Sequence, residues 1–219
     1  MGLPKTATTT LQIHLFHELH QEGKVNFLGR YLAPEYDDFY FKIYDIIKAV
    51  RDQSDEEFEK NLQQYIKQAN SYIQENTLNI ISEEGIAISY KKNNFSLDIN
   101  KNLKRIRKIF SEHTIEVLLS IRKQDKIIHS FFVEVYPTIF FSNDLINTLD
   151  KYIQDGLETK ESGNFYMYYY DMLVNQCENL FGVDSCKVLV FEDMKQNRVR
   201  YIKTLSNALN ISIKEVQKH

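Results

Sequence analysis

The chain has 219 residues, of which 43% are apolar and 26% charged, with a formal net charge of -3 at pH 7. That composition is of the globular kind, with length for one core of ordinary size, and residues 1–219 are expected to form a single domain. The balance excludes a globally basic field of the kind that attracts DNA or RNA, so an anionic ligand needs a local cluster of cations. No apolar run approaches the roughly 20 residues needed to span a bilayer. Lys5 and the threonines after it stand where a signal peptide would be apolar. Cys177 and Cys186 show neither metal-ligand spacing nor a disulfide framework, and a reducing, cytoplasmic setting is expected.

In chain order, Thr8–Glu22 is predicted helical, with Leu11, Leu15 and Leu19 on one face and Gly23 to stop it. A short buried strand, Val25–Leu28, follows. Helices are predicted over Tyr36–Arg51 and Ser54–Asn76, the second opened by Ser54 and Glu57 at capping-box spacing. "LNIIS" (Leu78–Ser82) reads as a strand ending in the acidic turn "EEG". Ile99–Glu112 is a basic amphipathic helix whose charged face is expected to be solvated. "TIEVLLSI" (Thr114–Ile121) is the strongest strand, being rich in β-branched residues. Helices are predicted at Asp125–Val135, Asn143–Asp155 and Phe165–Phe181. The strand "CKVLVFE" and a last helix, Asn197–Leu209, complete the pattern. Short apolar strands alternating with helices predict an α/β layer fold with a mostly parallel sheet, whose ligands sit outside the carboxyl ends of the strands.

The informative residues fall at those ends. In "MGLPKTATTTLQ" one cation and four threonines stand before a helix. A helix N-terminus carries unpaired N–H groups and about half a positive charge, so it favours phosphate or sulfate. Lys5 adds a mobile charge and the threonines add hydroxyl donors. The alternative is that Thr8, Thr9 and Thr10 only cap the helix and that Lys5 is a solvated surface charge. The order of residues is not that of G-x-x-x-x-G-K-[ST], which disfavours a Walker-type NTPase or kinase.

"GLPKTATTTLQ" resembles the 5′-phosphosulfate loop of the sulfotransferase family, P-K-T/S-G-T-T-x-L. "VLLSIRKQDKIIHSFF" is similar to that family's 3′-phosphate element, a strand ending in arginine and a helix bearing serine eight residues later. Arg122 and Ser130 hold those places, and "RKQDKIIHS" is closest to bacterial carbohydrate-type members. "KVLVFEDM" looks like the family's late strand ending in Y-E-x-L. The three motifs occur in the family's order over almost the whole chain.

The resemblance implies a three-layer, P-loop-like fold. It implies transfer of a sulfuryl group from 3′-phosphoadenosine 5′-phosphosulfate (PAPS) to a hydroxyl or amine of a carbohydrate or small-molecule acceptor, with no metal. Lys5 would serve the leaving group. Lys5, Thr6, Ala7, Thr8, Thr9, Thr10, Arg122 and Ser130 would bind the nucleotide. "IISEEGIA" is similar to the bacterial L-I-S-S-E-G-L, which makes Glu84 the candidate base beside Glu83, while a solvated acidic turn is the alternative. His14 is a weaker candidate for base. His14 and His20 lie about 120° apart on the helix, so "HLFHELH" does not gather three histidines on one metal. The tyrosines of "FYMYYYDM" are expected in the core rather than under a sugar. Two departures stand out: Ala7 replaces the loop glycine, and only three residues precede Pro4, so the first strand is expected to be missing and the chain truncated at both ends. A rival reading is a catalytically impaired module of the same fold that binds PAPS, its product PAP, or a protein partner.

Overall fold

The computed structural model describes residues 3, 5–29, 43–87, 98–137, 146–158 and 165–213, and the backbone alone at 31–32, 39–40 and 164. Pro4 and Gly2 of the opening motif lie outside the described residues.

The first helical run begins as α1 (Thr8–Leu11), widens into a π-helical turn at Gln12–Phe16 and continues as α2 (His17–Gln21). Leu11, Leu15 and Leu19 are buried along one face, as the four-residue spacing predicts. The run stops where Gly23 adopts φ 71°, and the N–H of Lys24 reaches back to Leu19 O at 2.9 Å, which satisfies one of the last carbonyls. β1 (Val25–Phe27) pairs in parallel with β4 (Leu78–Ile80). β2 (Tyr31–Leu32) and β3 (Phe39–Tyr40) form an antiparallel pair, so the helix expected from Tyr36 gives way to strand at Phe39–Tyr40. α3 (Tyr44–Asp52) and α4 (Asp55–Tyr72) follow. The capping box forms as predicted, with Ser54 Oγ accepting from Glu57 N at 3.1 Å and Glu57 Oε2 from Ser54 N at 3.3 Å.

α5 (Ile99–Ile109) carries a correction. Its basic face is not uniformly solvated, because Arg105 is 3% exposed. Its guanidinium donates to Val50 O at 2.9 Å and Gln53 O at 3.0 Å and pairs with Asp55 at 2.6 Å. Carbonyls at the end of α3 have no partner within their own helix, and Arg105 supplies it.

β5 (Val117–Ile121) pairs in parallel with β6 (Cys186–Val190) over all five residues. Between them in sequence lie α6 (Gln124–Val135), α7 (Leu149–Glu158), a 3-10 turn at Asn164–Tyr168 and α8 (Tyr170–Phe181). Phe165, Met167 and Tyr168 are buried, and Phe165 meets Tyr168 edge-on at 5.1 Å, which is the core role expected of that aromatic run. A short helix not anticipated from the sequence, α9 (Phe191–Gln196), precedes α10 (Arg198–Leu209).

The class is α/β with parallel pairs, but the described strands do not form one continuous sheet. β1–β4 and β5–β6 are separate, and the buried apolar residues likewise divide into two clusters. The smaller is built on Leu11, Phe16, Phe27, Ile80, Leu189 and Leu205. The larger lies among α3, α4, α5, α6 and α8.

Candidate functional site

The carboxyl end of β5 delivers Arg122 and that of β4 delivers Glu84, and the loop at 5–7 lies against both. Ser120 Oγ, on β5, donates to Thr6 O at 3.3 Å. Gln12, buried on the π-helical turn, donates through Nε2 to Ser82 Oγ at 3.0 Å and Ser82 O at 3.2 Å. A π-helical turn displaces side chains from the ordinary helical register, and here it accompanies a side chain aimed at the end of β4.

Within the loop, Thr6 is fully buried and its hydroxyl donates to Leu3 O at 2.6 Å. Lys5 and Ala7 both occupy the left-handed region, at φ 64° and 62°. Ala7 is the residue before α1, with ψ 28°, so the position that resembles the family's glycine is one whose backbone glycine adopts most readily. Thr8 is buried and its hydroxyl donates to Glu84 Oε1. Thr9 and Thr10 are exposed on the first turn of the helix.

The guanidinium of Arg122 faces two partners, with Nη1 3.3 Å from Lys5 O and 3.3 Å from Ser130 Oγ. It lies over the ring of Phe191 at 5.0 Å, and Tyr170 Oη donates to Arg122 O at 2.5 Å. Burial pushes the Tyr170 phenol up to about 12, so it stays a donor at neutral pH. Glu192 Oε1 accepts from Lys123 N at 3.1 Å and fastens the start of α9 to the turn after β5. One turn beyond Ser130 on α6, Glu134 pairs with Lys5, with Nζ–Oε1 at 2.9 Å.

Of the residues singled out from the sequence, Lys5, Thr6, Ala7, Thr8, Glu84, Arg122 and Ser130 come together. Glu83 does not join them: its carboxylate accepts from Gly85 N at 2.8 Å and so holds the acidic turn. The two adjacent glutamates therefore divide, one toward the loop and one into its own turn. His14 is exposed and makes no hydrogen bond or ion pair among the described residues, while His20 Nδ1 lies 3.1 Å from Val25 O, at the join of α2 and β1. No group of three or more His, Cys, Asp or Glu residues that could hold a metal ion occurs among the described residues. No helix among them is long and apolar enough to cross a membrane. Gln12, Glu134 and Phe191 escaped the sequence reading, and Tyr170, expected in the core with the other tyrosines of its run, is half-buried beside Arg122. For Glu134 a signal was present, since it stands four residues after Ser130 and so on the same helix face.

No protein-family model matches the sequence, and no curated protein matches it. Among solved structures the chain is similar to a sulfotransferase from Alicyclobacillus acidocaldarius. The TM-score is 0.52 at 14% sequence identity, and the match covers 100% of this chain and 82% of that one. The chain shares a sulfotransferase fold. At this identity the likeness carries the path of the backbone, and the side chains at the carboxyl ends of β4 and β5 have to argue for any chemistry.

Proposed function

We propose that the chain transfers a sulfuryl group from PAPS to a hydroxyl or amine of a carbohydrate or small-molecule acceptor. The observation that carries this reading is the convergence of Lys5, Thr8, Glu84, Arg122 and Ser130, drawn from stretches far apart in sequence. Arg122 and Ser130 suit a 3′-phosphate, for which a guanidinium supplies charge-assisted donors and a hydroxyl adds a third. The loop N–H groups, Thr8, Thr9 and Lys5 suit the 5′ end, where the helix N-terminus also favours an anion.

In the reaction, the acceptor oxygen forms a bond to sulfur as the bond between sulfur and the 5′-phosphate oxygen breaks. The acceptor's proton passes to the Glu84 carboxylate, which the Thr8 hydroxyl orients. Lys5 neutralises the charge left on the phosphate oxygen. Positioning and charge neutralisation of this kind are the main demands of phosphoryl transfer, and sulfuryl transfer resembles it. The reading carries with it a single P-loop-like, three-layer domain over residues 1–219.

Differential melting with nucleotides tests it. The product nucleotide 3′,5′-adenosine bisphosphate is expected to raise the melting temperature, and AMP to do so far less, because ligand binding stabilises by mass action. Equal shifts would remove the assignment of Arg122 and Ser130 to a 3′-phosphate. Transfer of radiolabelled sulfate from PAPS to a mixture of glycans then separates an enzyme from a module that binds the nucleotide without turnover.

A further inference from the structure

α9 is only six residues long, yet it stands beside the arginine at the carboxyl end of β5. The Arg122 guanidinium lies 5.0 Å from the centroid of the Phe191 ring, and the Lys195 ammonium lies 5.7 Å from the same centroid. The second contact is local, because residues four apart share a face of a helix. The first is set by the strand register. Ile121 of β5 stands opposite Val190 of β6 in a parallel pair, so the residues that follow them, Arg122 and Phe191, leave the two strands at the same level. Two cations from different elements therefore share one aromatic ring. Its electron-rich face attracts each of them but does not remove the repulsion between them.

The carboxylates carried by α9 and α6 are engaged with other groups. Glu192 Oε1 accepts from Lys123 N at 3.1 Å, Asp193 pairs with Arg200 at 3.2 Å, and Glu134 pairs with Lys5 at 2.9 Å. Among the described residues neither Arg122 nor Lys195 makes an ion pair. Two such cations suit an anion with more than one negative charge. A phosphate monoester carries about −1.5 to −2 at pH 7, and its three acceptor oxygens are enough for a guanidinium, a hydroxyl and an ammonium at once. The guanidinium and the hydroxyl already meet, with Arg122 Nη1 3.3 Å from Ser130 Oγ. Cations on two oxygens of one phosphate stand roughly 8 Å apart, at about 2.8 Å for each hydrogen bond. Measured from one centroid, 5.0 and 5.7 Å keep the two groups no further apart than their sum, and the flexible four-carbon stem of Lys195 spans the difference.

We propose that Lys195 is a further ligand of the nucleotide's 3′-phosphate and that Phe191 is its positioning residue, the ring holding Arg122 and Lys195 as two sides of one phosphate grip. This rests on the sulfuryl-transfer reading and adds a specificity-determining pair to it. A donor with a free 3′-hydroxyl leaves both cations unmatched, so Lys195 sharpens the choice of PAPS over adenosine 5′-phosphosulfate. Lys195 is exposed while Arg122 is half-buried, so water screens Lys195 more and its share of the grip is the smaller one.

Calorimetry on the full chain with 3′,5′-adenosine bisphosphate and with AMP tests it. Lys195→Met is expected to weaken binding of the bisphosphate about tenfold and to leave binding of AMP unchanged, while Lys195→Arg keeps the preference. Lys67→Met removes the same charge from the exposed face of α4 and is expected to change neither affinity. Phe191→Leu keeps apolar bulk without a π face and is expected to lose a comparable part of the preference, which Phe191→Tyr retains. A wild-type chain that prefers the bisphosphate, beside a Lys195→Met variant that prefers it just as strongly, would overturn this inference and leave the sulfuryl-transfer reading standing. So would a Lys195→Met variant that loses both nucleotides alike, since that pattern belongs to a structural residue. Equal affinity of the wild-type chain for the two nucleotides would overturn both the inference and the reading beneath it.

Discussion

Ala7→Gly is expected to stabilise the chain, and the backbone gives the size of the effect. At φ 62° and ψ 28° Ala7 sits in the left-handed region, where a Cβ crowds the following carbonyl at a cost of roughly 1–2 kcal/mol. Glycine removes that cost but frees the unfolded chain, which takes back about 0.4–1 kcal/mol. The difference leaves a net gain of about 1 kcal/mol, or about 2–4 °C in melting temperature for a chain of this length. Thr9→Gly is the counterpart two residues later, on the exposed first turn of α1, where glycine only loosens a helix. The two substitutions are therefore expected to move the melting temperature in opposite directions, and urea unfolding with a shared slope checks that the change lies in stability. If Ala7→Gly lowers the midpoint, or matches Thr9→Gly in sign, the strain assigned to the loop is not there.

Three further outcomes are expected. Arg122→Ala weakens binding of 3′,5′-adenosine bisphosphate by about 1.5–3 kcal/mol in calorimetry, the scale of charge-assisted hydrogen bonds, and unchanged affinity in a folded variant would leave Arg122 the structural contacts with Lys5 O, Ser130 Oγ and Phe191. Glu84→Gln lowers turnover by about 10²–10⁴ with nucleotide affinity retained, whereas Glu83→Gln, whose carboxylate binds Gly85 N, leaves turnover near its starting value; the reverse pattern would reassign the base. Tyr201→Phe stabilises by about 1 kcal/mol, because the Tyr201 hydroxyl is buried and has no hydrogen-bond partner among the described residues. Burial raises that phenol to about 12, so the stability it permits is complete below the unfolded value of about 10 and is lost as pH rises towards 12. The variant should accordingly flatten the decline in stability between those limits, and an identical decline would place the alkaline sensitivity elsewhere.

Elements whose signals are local were legible in the sequence. Ser54 and Glu57 meet across one turn, and the three leucines of the first run share a face whatever the rest of the chain does. Elements decided by distant partners were not. Phe39–Tyr40 has residues that suit either a helix face or a strand, and its pairing with Tyr31–Leu32 decides the matter. Arg105 looks like any other cation on a basic helix until the end of α3 brings its carbonyls to meet it. α9 was hidden because Phe191 continues the apolar run of β6, and what turns the chain there includes Glu192 reaching back to Lys123 N.

The candidate site was more legible than the sheet because its parts are charged or hydroxylated groups at strand ends, where chemistry restricts the choice of residue more than packing does. What the sequence did not disclose is that α6 faces the loop with two groups one turn apart, Ser130 toward Arg122 and Glu134 toward Lys5. The Lys5 and Glu134 side chains are 37% and 42% exposed, so their ion pair contributes only about 0–1 kcal/mol. A weak pair of this kind keeps the ammonium beside the loop without holding it there. In the sulfuryl-transfer reading, a phosphate bound by the loop N–H groups offers Lys5 more charge than one carboxylate does, in a place where the helix N-terminus already favours it. Exchange of counter-ions then costs little, and the charge that the reaction leaves on the 5′-phosphate oxygen finds a cation that α6 has kept within reach.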